Sequence, residues 1–370
     1  MAIERVETIP YALPFRDPYV TARGALQRRE IVLLRLFDDS GQVGLGEAVP
    51  LALRGDKPLD EVERSLAKSA ARLIGLDLGD APDGPRAQIA TVVVELATAN
   101  KLGKPARAAV EGALLDLAAK LAGEPLWRTL GAASAEPVRC NATLTAGEPE
   151  AVAEQAERWA ALGFATFKLK LGAGDDVAQV QAVRRALGPE ALIRVDANEG
   201  WDGKTAARVL DELEELRIEL AEQPVAGLRA MSRLAQSTAI PLAGDEMITS
   251  PADAGKAARR GACRFATLKL SKLGGIGPAI TTAGRMPGYL SSSLDGPVGI
   301  AMAAHAAQRL RDSGDAGIAH GLATSLLFAE TIASRELLPE AGEIVLGEEA
   351  GLGVEIDEGK LEALRLPSGG

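Results

Sequence analysis

The segment from Ala165 to Leu171 carries two lysines whose spacing suits proton transfer. Lys168 and Lys170 alternate with apolar residues, and a period of two places both ammonium groups on one face of a strand. If the apolar face packs under helices, both lysines point into a shared interior, where a lysine can act as a general base or acid. The alternative is a solvated strand face, but helices cover every strand of a closed barrel.

Three carboxylates follow apolar runs at regular intervals further along the chain. Asp196, Glu222 and Asp245 lie 26 and 23 residues apart. Carboxylates that converge from neighbouring strands repel one another unless a cation lies between them, and all-oxygen ligation favours Mg²⁺ or Mn²⁺ over zinc. One acid at a strand end is often only a helix cap. Three in succession predict a metal site.

A further lysine, Lys269, follows Asp245 by 24 residues. In a ring of eight strands its strand is four places from that of Lys170, so the two side chains face each other across the barrel mouth. This arrangement suits removal of a proton α to a carboxylate, with a metal that stabilises the enediolate and lysines that act as base, acid or electrostatic support. Like-charge repulsion from Lys168 is expected to lower the pKa of Lys170. Lys272, at an odd offset from Lys269, is expected to point outward or to lie in a loop.

Eight β-rich runs that alternate with Ala-rich helices would position these side chains. Their ends recur every 23 to 27 residues, which predicts an α/β fold with a (β/α)8-type barrel. The ends lie near Thr143, Lys170, Asp196, Glu222, Asp245, Lys269, Ser293 and His320. We assign the barrel to residues 128–339.

The residues before the barrel have a different pattern. A hairpin signal over residues 31–47 is followed by helical stretches over 59–76 and 106–122, so residues 1–127 are predicted to form an α+β capping domain. The polar segment 15–28 is expected to be a mobile loop. Residues 340–370 are expected to pack back on this domain.

Composition excludes several classes of protein. The chain has 370 residues, 47% of them hydrophobic, and a net charge of −10, which argues against nucleic-acid or anionic-membrane partners. No signal-peptide pattern or membrane-length apolar run is present, so we expect a cytoplasmic protein that binds a small anionic substrate and could form a homo-oligomer. Cys140 and Cys263 match no zinc-ligand spacing.

Taken together, these motifs resemble the muconate-lactonizing subgroup of the enolase superfamily. The resemblance covers nearly the whole chain and includes Asn198 after Asp196, Gln223-Pro224 after Glu222, and Glu246 after Asp245. It implies a modified (β/α)7β barrel with an N-terminal cap, and Mg²⁺, for which Mn²⁺ can substitute, held by Asp196, Glu222 and Asp245. It also implies Lys170 and Lys269 as the acid/base pair, with Lys168 as electrostatic support.

The substrate is harder to predict. The segment that includes Ser291, Ser293 and Asp295 resembles o-succinylbenzoate synthases, as does the loop that carries Arg23, and residues 319–324 lack the Asp-x-Asp of dipeptide epimerases. We therefore predict a lyase that dehydrates a cyclohexadiene carboxylate to o-succinylbenzoate in menaquinone synthesis, with these three residues, Arg23 and Asn198 as substrate contacts.

Other substrates and roles stay open at this stage. Residues 270–275 look closer to the epimerase and cycloisomerase branches, so an N-acylamino acid racemase, a dipeptide epimerase or a muconate cycloisomerase is the first alternative. A barrel that binds an acidic ligand without turnover is the second, although binding alone has no need for two opposed lysines. His320 lies near the mouth, but a lone loop histidine is usually neither base nor ligand.

Overall fold

The computed structural model describes residues 2–21, 24–51, 55–78 and 84–367. Its N-terminal part is a three-stranded antiparallel sheet in the order β1-β2-β3, against which helices pack. The elements are β1 (Ile3–Thr21), β2 (Gly24–Asp38), β3 (Val43–Ala48), α1 (Leu59–Leu73), α2 (Pro85–Ala99), α3 (Lys104–Ala122) and α4 (Leu126–Thr129). The predicted hairpin and the helices α1 and α3 are confirmed, whereas α2 was not anticipated.

Helix α3 is the central element of this part because it is buried on nearly all sides. Pro105 lies in its first turn, and Gly123 ends it with a left-handed φ of 66°. Strand β3 lies against α3 so closely that a Cβ at Gly44 or Gly46 would come within 2.2 Å or 2.0 Å of a helix carbonyl oxygen. Only glycine permits this approach.

The second part is an α/β barrel. Seven parallel strands are hydrogen-bonded in sequence order from β5 to β11. The seven strands are β5 (Ala142–Leu144), β6 (Thr166–Lys170), β7 (Leu192–Asp196), β8 (Ile218–Glu222), β9 (Leu242–Gly244), β10 (Phe265–Leu268) and β11 (Gly288–Leu290). The short strand β4 (Val138–Arg139) precedes them and does not belong to this sheet. The helices are α5 (Pro149–Ala161), α6 (Asp176–Leu187), α7 (Gly203–Leu213), α8 (Leu228–Leu234), α9 (Pro251–Arg259), α10 (Leu270–Leu273), α11 (Ile276–Ala283) and α12 (Pro297–Leu310).

Residues 320–321 occupy the eighth strand position and close the barrel. His320 bridges to Cys140 and Gly321 bridges to Ser291, both in parallel orientation. The amide of Gly321 donates to the carbonyl of Leu290 at 2.8 Å. The predicted barrel is therefore confirmed, with this short eighth segment in place of a full strand.

Segment 15–28 was expected to be a loop, but its described residues on either side of 22–23 form paired strands, so that part of the prediction was wrong. After a register shift between Pro14 and Tyr19, β1 continues to pair with β2 up to Thr21 and Gly24. The segment reads as polar, but its aromatic residues are buried: the Phe15 ring stacks on Tyr19 and on Phe328, with centroids 5.5 Å and 4.9 Å apart. These rings attach the hairpin to the chain that follows the eighth barrel position.

The C-terminal segment makes contacts with both parts. It contains β12 (Ala333–Arg335), β13 (Glu343–Ile344), β14 (Glu355–Ile356) and α13 (Glu358–Leu364). Strand β13 pairs with β4, while the Glu358 carboxylate accepts two hydrogen bonds from the Arg35 guanidinium at 2.7 and 2.9 Å. The domain boundary at residues 127 and 128 stays a prediction. In the ranges that the structure describes, no helix is both long and apolar enough to cross a membrane.

Candidate active site

A cavity lies at the carboxyl ends of the barrel strands. The hairpin and the segment after β3 contribute Tyr19, Thr21, Leu26 and Leu51 to its wall. The barrel contributes Thr143, Lys168, Lys170, Asn198, Lys269, residues 291–294, Gly321 and Thr324. Both parts of the chain therefore shape this space.

Side chains alternate between the two faces of β6, and this alternation directs Lys168 and Lys170 into the cavity. Phe167 and Leu169 are each 1% exposed and belong to the main hydrophobic core, whereas Lys168 and Lys170 line the cavity. Lys269 lies directly after β10 and lines the same cavity. Strands β6 and β10 are four places apart in the sheet order, so lysines reach the cavity from opposite sides of the barrel.

Each of the three candidate metal-binding acids is buried and paired with lysine. The Nζ of Lys168 lies 2.8 Å from Asp196 Oδ2 and 2.7 Å from Glu222 Oε2. The Nζ of Lys170 lies 2.6 Å from the same Asp196 oxygen. Asp245 Oδ2 accepts from Lys269 Nζ at 2.5 Å. Lysine ammonium groups thus compensate the negative charge at the ends of β7, β8 and β9.

Lys272 also reaches this cluster and lies in α10, so the expectation that it points outward or lies in a loop was wrong. Its Nζ lies 2.6 Å from Oδ1 of Asp245 and 3.0 Å from the carbonyl oxygen of Thr267. The reason is that α10 begins at Leu270, so the period of two no longer applies beyond Lys269. Residues three apart on a helix lie on nearly the same face.

The net pKa shift of Lys170 is also opposite to the expected one. Burial, which is the largest single influence, and the neighbouring Lys168 both lower the pKa of Lys170, but Asp196, Tyr19 and Glu222 together outweigh them and raise it above its usual range. Burial likewise opposes the charge on Lys168, yet Asp196 and Glu222 raise its pKa well above the ordinary value. For Asp196, burial favours the neutral form, but the two lysines hold its pKa well below the usual range.

The donor chemistry of the acids fits a hard divalent cation. Among the described residues, no three Asp, Glu, His or Cys side chains are gathered closely enough to share one ion. The Lys168 ammonium lies between two of the acids, Asp196 and Glu222. However, Oε1 of Glu222 is buried without a hydrogen-bond partner, which costs about 1–3 kcal/mol if it stays unsatisfied. Asp196 and Glu222 are neighbours across β7 and β8. Carboxylate oxygens of this kind are preferred ligands of Mg²⁺.

Three of the candidate substrate contacts line the cavity. Ser291 and Ser293 form part of its wall, and Ser293 Oγ accepts a hydrogen bond from Ser271 Oγ at 2.8 Å. Asn198 has a left-handed φ of 46°, which asparagine tolerates better than most residues. Its Oδ1 accepts from Lys170 Nζ at 3.0 Å, and its Nδ2 donates to Glu246 Oε1 at 3.1 Å.

The other candidates lie elsewhere. Asp295 lines a separate, smaller cavity together with Glu47, and its carboxylate accepts from the amide of Ser293 at 3.1 Å. His320 is buried at the barrel closure, where Nδ1 accepts from the amide of Leu290, and burial lowers its pKa to about 4. Arg23 lies outside the described residues.

Sequence reasoning missed several residues of the site. The lining residues Tyr19, Leu26 and Leu51 belong to the N-terminal part and had no local signal. By contrast, the sequence does carry a local signal for Tyr289, whose hydroxyl donates to Glu222 Oε2 at 2.7 Å. It precedes Ser291, which directly follows β11, by two residues, so the same alternation places both in the barrel interior.

Comparisons with known proteins agree with this geometry. Residues 151–360 match the family "Enolase C-terminal domain-like", and residues 4–131 match "Mandelate racemase / muconate lactonizing enzyme, N-terminal domain". The L-Ala-D/L-Glu epimerase of Bacillus subtilis is 33% identical over 325 residues, which span 84% of this chain and 86% of that protein. Muconate cycloisomerase 1 of Rhodococcus opacus is 30% identical and covers 96% of both chains.

A solved structure adds a third relative. The N-succinyl Arg/Lys racemase from Bacillus cereus superimposes with a TM-score of 0.90 at 26% identity, covering 99% of this chain and 98% of that one. The same family assignment follows from the order of the lysines and acids, from the capped barrel and from the two family matches. The chain belongs to the enolase superfamily, with the N-terminal domain of its mandelate racemase and muconate lactonizing branch.

Proposed function

We propose that this protein is a Mg²⁺-dependent racemase that removes and returns the proton at the α-carbon of an N-acylated amino acid. The observation that carries the proposal is the pair Lys170 and Lys269, which line one cavity from opposite sides of the barrel. Inversion at carbon needs a proton donor and acceptor on each face of the substrate. A barrel that only bound an acid would not need this arrangement.

Asp196, Glu222 and Asp245 are the residues that would hold the cation. Their position at three successive strand ends and the unpartnered Oε1 of Glu222 support this assignment. When bound, Mg²⁺ would stabilise the enediolate that proton removal creates.

The lysines have separate roles in proton transfer and charge stabilisation. Once Asp196 binds the cation and no longer pairs with Lys170, the neutral Lys170 amine takes the α-proton on one face, and the Lys269 ammonium delivers a proton on the other, so the configuration inverts. Lys168 contacts both Asp196 and Glu222, and this double pairing supports a role as a fixed positive charge. Asn198, which accepts from Lys170 Nζ, orients that amine.

The wall of the cavity supports an anionic substrate without a free ammonium group. Among the described lining residues, the polar side chains are three lysines, one amide and several hydroxyls, and none is acidic. A buried ammonium without a counter-charge is costly. An acylated amine avoids this cost, while Leu26, Leu51 and Leu294 offer apolar contact to an acyl chain.

Dehydration of a cyclohexadiene carboxylate to o-succinylbenzoate is the second candidate. Its support is the row Ser291, Ser292 and Ser293 on the cavity wall, which can accept a second carboxylate arm. We place it second because one basic lysine suffices for dehydration, and because the three relatives named above are an epimerase, a cycloisomerase and a racemase.

The test is a substrate panel in D₂O with Mg²⁺-loaded protein. It includes both enantiomers of N-succinyl and N-acetyl amino acids, the Ala-Glu dipeptide, the o-succinylbenzoate precursor and muconate. We expect deuterium to enter the α-position of an N-acyl amino acid with inversion. A higher kcat/KM for the precursor, the dipeptide or muconate would overturn the choice of substrate.

Two variants test the roles of the lysines separately. With Lys170→Ala, exchange at the α-carbon of one enantiomer should be lost and that of the other retained, and Lys269→Ala should show the reverse pattern. Loss of exchange for the same enantiomer in both variants would refute the two-base arrangement.

A further inference from the structure

We infer that Tyr289 is a positioning residue for the cation site: its hydroxyl holds one oxygen of Glu222 and leaves the other for the metal. The inference rests on the proposed function, because it takes Glu222 as a metal ligand.

The contacts of the Glu222 carboxylate are unequal. Its Oε2 accepts from the Tyr289 hydroxyl at 2.7 Å and from Lys168 Nζ at 2.7 Å. Its Oε1 is buried and has no partner. Two donors on one oxygen restrict rotation of the carboxylate about its last torsion, so the unpartnered oxygen is the one available to an ion. Partners of this kind, which orient metal ligands without touching the metal, typically change metal affinity by about 10- to 100-fold.

Tyr289 is itself fixed in this orientation. Thr267 Oγ1 donates to the tyrosine hydroxyl at 2.8 Å, so the hydroxyl proton is directed to Glu222. The ring is 1% exposed, packs with Leu220 and Ala243, and lies 5.2 Å from the guanidinium carbon of Arg194. The phenol therefore has a single acidic partner and little freedom to leave it.

A second buried tyrosine offers a matched control. The Tyr11 hydroxyl donates to Glu47 Oε1 at 2.6 Å, and Tyr11 is 0% exposed. Glu47 accepts from the first amides of α12 and contributes nothing to the wall of the main cavity. Loss of this hydroxyl removes a comparable hydrogen bond from a site with no role in metal binding.

The experiment is calorimetric titration of Mg²⁺ into the wild-type protein, Tyr289→Phe and Tyr11→Phe, with thermal unfolding of each. We expect Tyr289→Phe to raise the Kd for Mg²⁺ by about 10-fold or more, and Tyr11→Phe to leave it within about twofold, although both variants lose stability. Thr267→Val, which removes only the orienting donor, should raise the Kd by less than Tyr289→Phe.

The outcomes separate this inference from the proposed function. If the wild-type protein binds Mg²⁺ and Tyr289→Phe binds it equally well, the role of Tyr289 is refuted while the metal site stands. If Tyr11→Phe and Tyr289→Phe raise the Kd equally, the effect is general loosening of the fold and the inference fails. A wild-type protein that binds no Mg²⁺ would overturn the metal site and, with it, this inference.

Discussion

Glu111 should make the stability of the protein fall as the pH rises from about 4.5 to about 7. Its carboxylate, on α3, accepts hydrogen bonds from the amides of Ile276 and Gly277 at the start of α11 in the barrel. Burial raises the pKa of Glu111 from its ordinary value of 4.5 to about 7, although the two amides oppose the shift. The folded protein therefore retains a proton that the unfolded chain releases between these values.

The sign and size of the effect follow from this difference in pKa. Below pH 4.5 both states are protonated and the contribution to stability is fully present; it is lost as the pH rises through about 7. At about 1.4 kcal/mol for each pH unit, the interval between pH 4.5 and about 7 corresponds to a loss of about 3 kcal/mol in the free energy of unfolding.

Glu111→Gln removes the titrating group while keeping its shape. Urea unfolding of both proteins between pH 4.5 and 8 should show that wild type loses about 3 kcal/mol relative to the variant across this range. The same change at Glu157, an exposed residue of α5, is the control and should give parallel curves. A difference between wild type and Glu111→Gln that stays constant with pH would refute the reasoning.

Three further predictions concern the metal, the base and the contact between the two parts. Exhaustive chelation should abolish turnover and added Mg²⁺ should restore it, while Asp245→Asn should severely weaken Mg²⁺ binding; full activity after chelation would contradict the metal site. Lys170→Ala should lower kcat by about 10²- to 10⁴-fold or more while Mg²⁺ still binds, and near wild-type turnover would show that another group is the base. Gly296→Ala places a Cβ 2.3 Å from the Tyr11 hydroxyl and should lower the free energy of unfolding by about 1–3 kcal/mol. Gly203→Ala, where the Cβ meets open space, should have little effect, and equal losses in urea unfolding would exclude the steric explanation.

The barrel could be predicted because each of its signals is local. A strand that is covered on one side by helices must alternate in polarity, and the period of two carried Lys168 and Lys170 to the same face. The near-equal spacing of strand ends reflects the length of one strand, one helix and two short loops. Repetition of that unit specifies a closed ring more strongly than any single segment does.

The predictions that failed depended on a change of local geometry or on distant partners. Lys272 was placed outside the site because strand parity was extended past Lys269, where a helix in fact begins. The pKa of Lys170 was expected to fall because only the neighbouring Lys168 was visible, whereas Asp196 on the next strand lies 2.6 Å away. The sequence of residues 15–28 is largely polar, yet Phe15 stacks on Phe328, which lies more than 300 residues later in the chain.

The distinction between local signals and contacts with distant segments also explains why the reaction chemistry of this chain is easier to predict than its substrate. The lysines and acids lie at strand ends whose mutual positions follow from the barrel alone. Under the proposed function, recognition of the substrate would also involve Tyr19, Leu26 and Leu51, which reach the cavity from the N-terminal part and depend on how that part packs over the barrel. Substitutions at these positions leave the strand ends unchanged, so relatives can share an acid/base frame and act on different molecules. An epimerase, a cycloisomerase and a racemase, each 26% to 33% identical to this chain, fit that expectation.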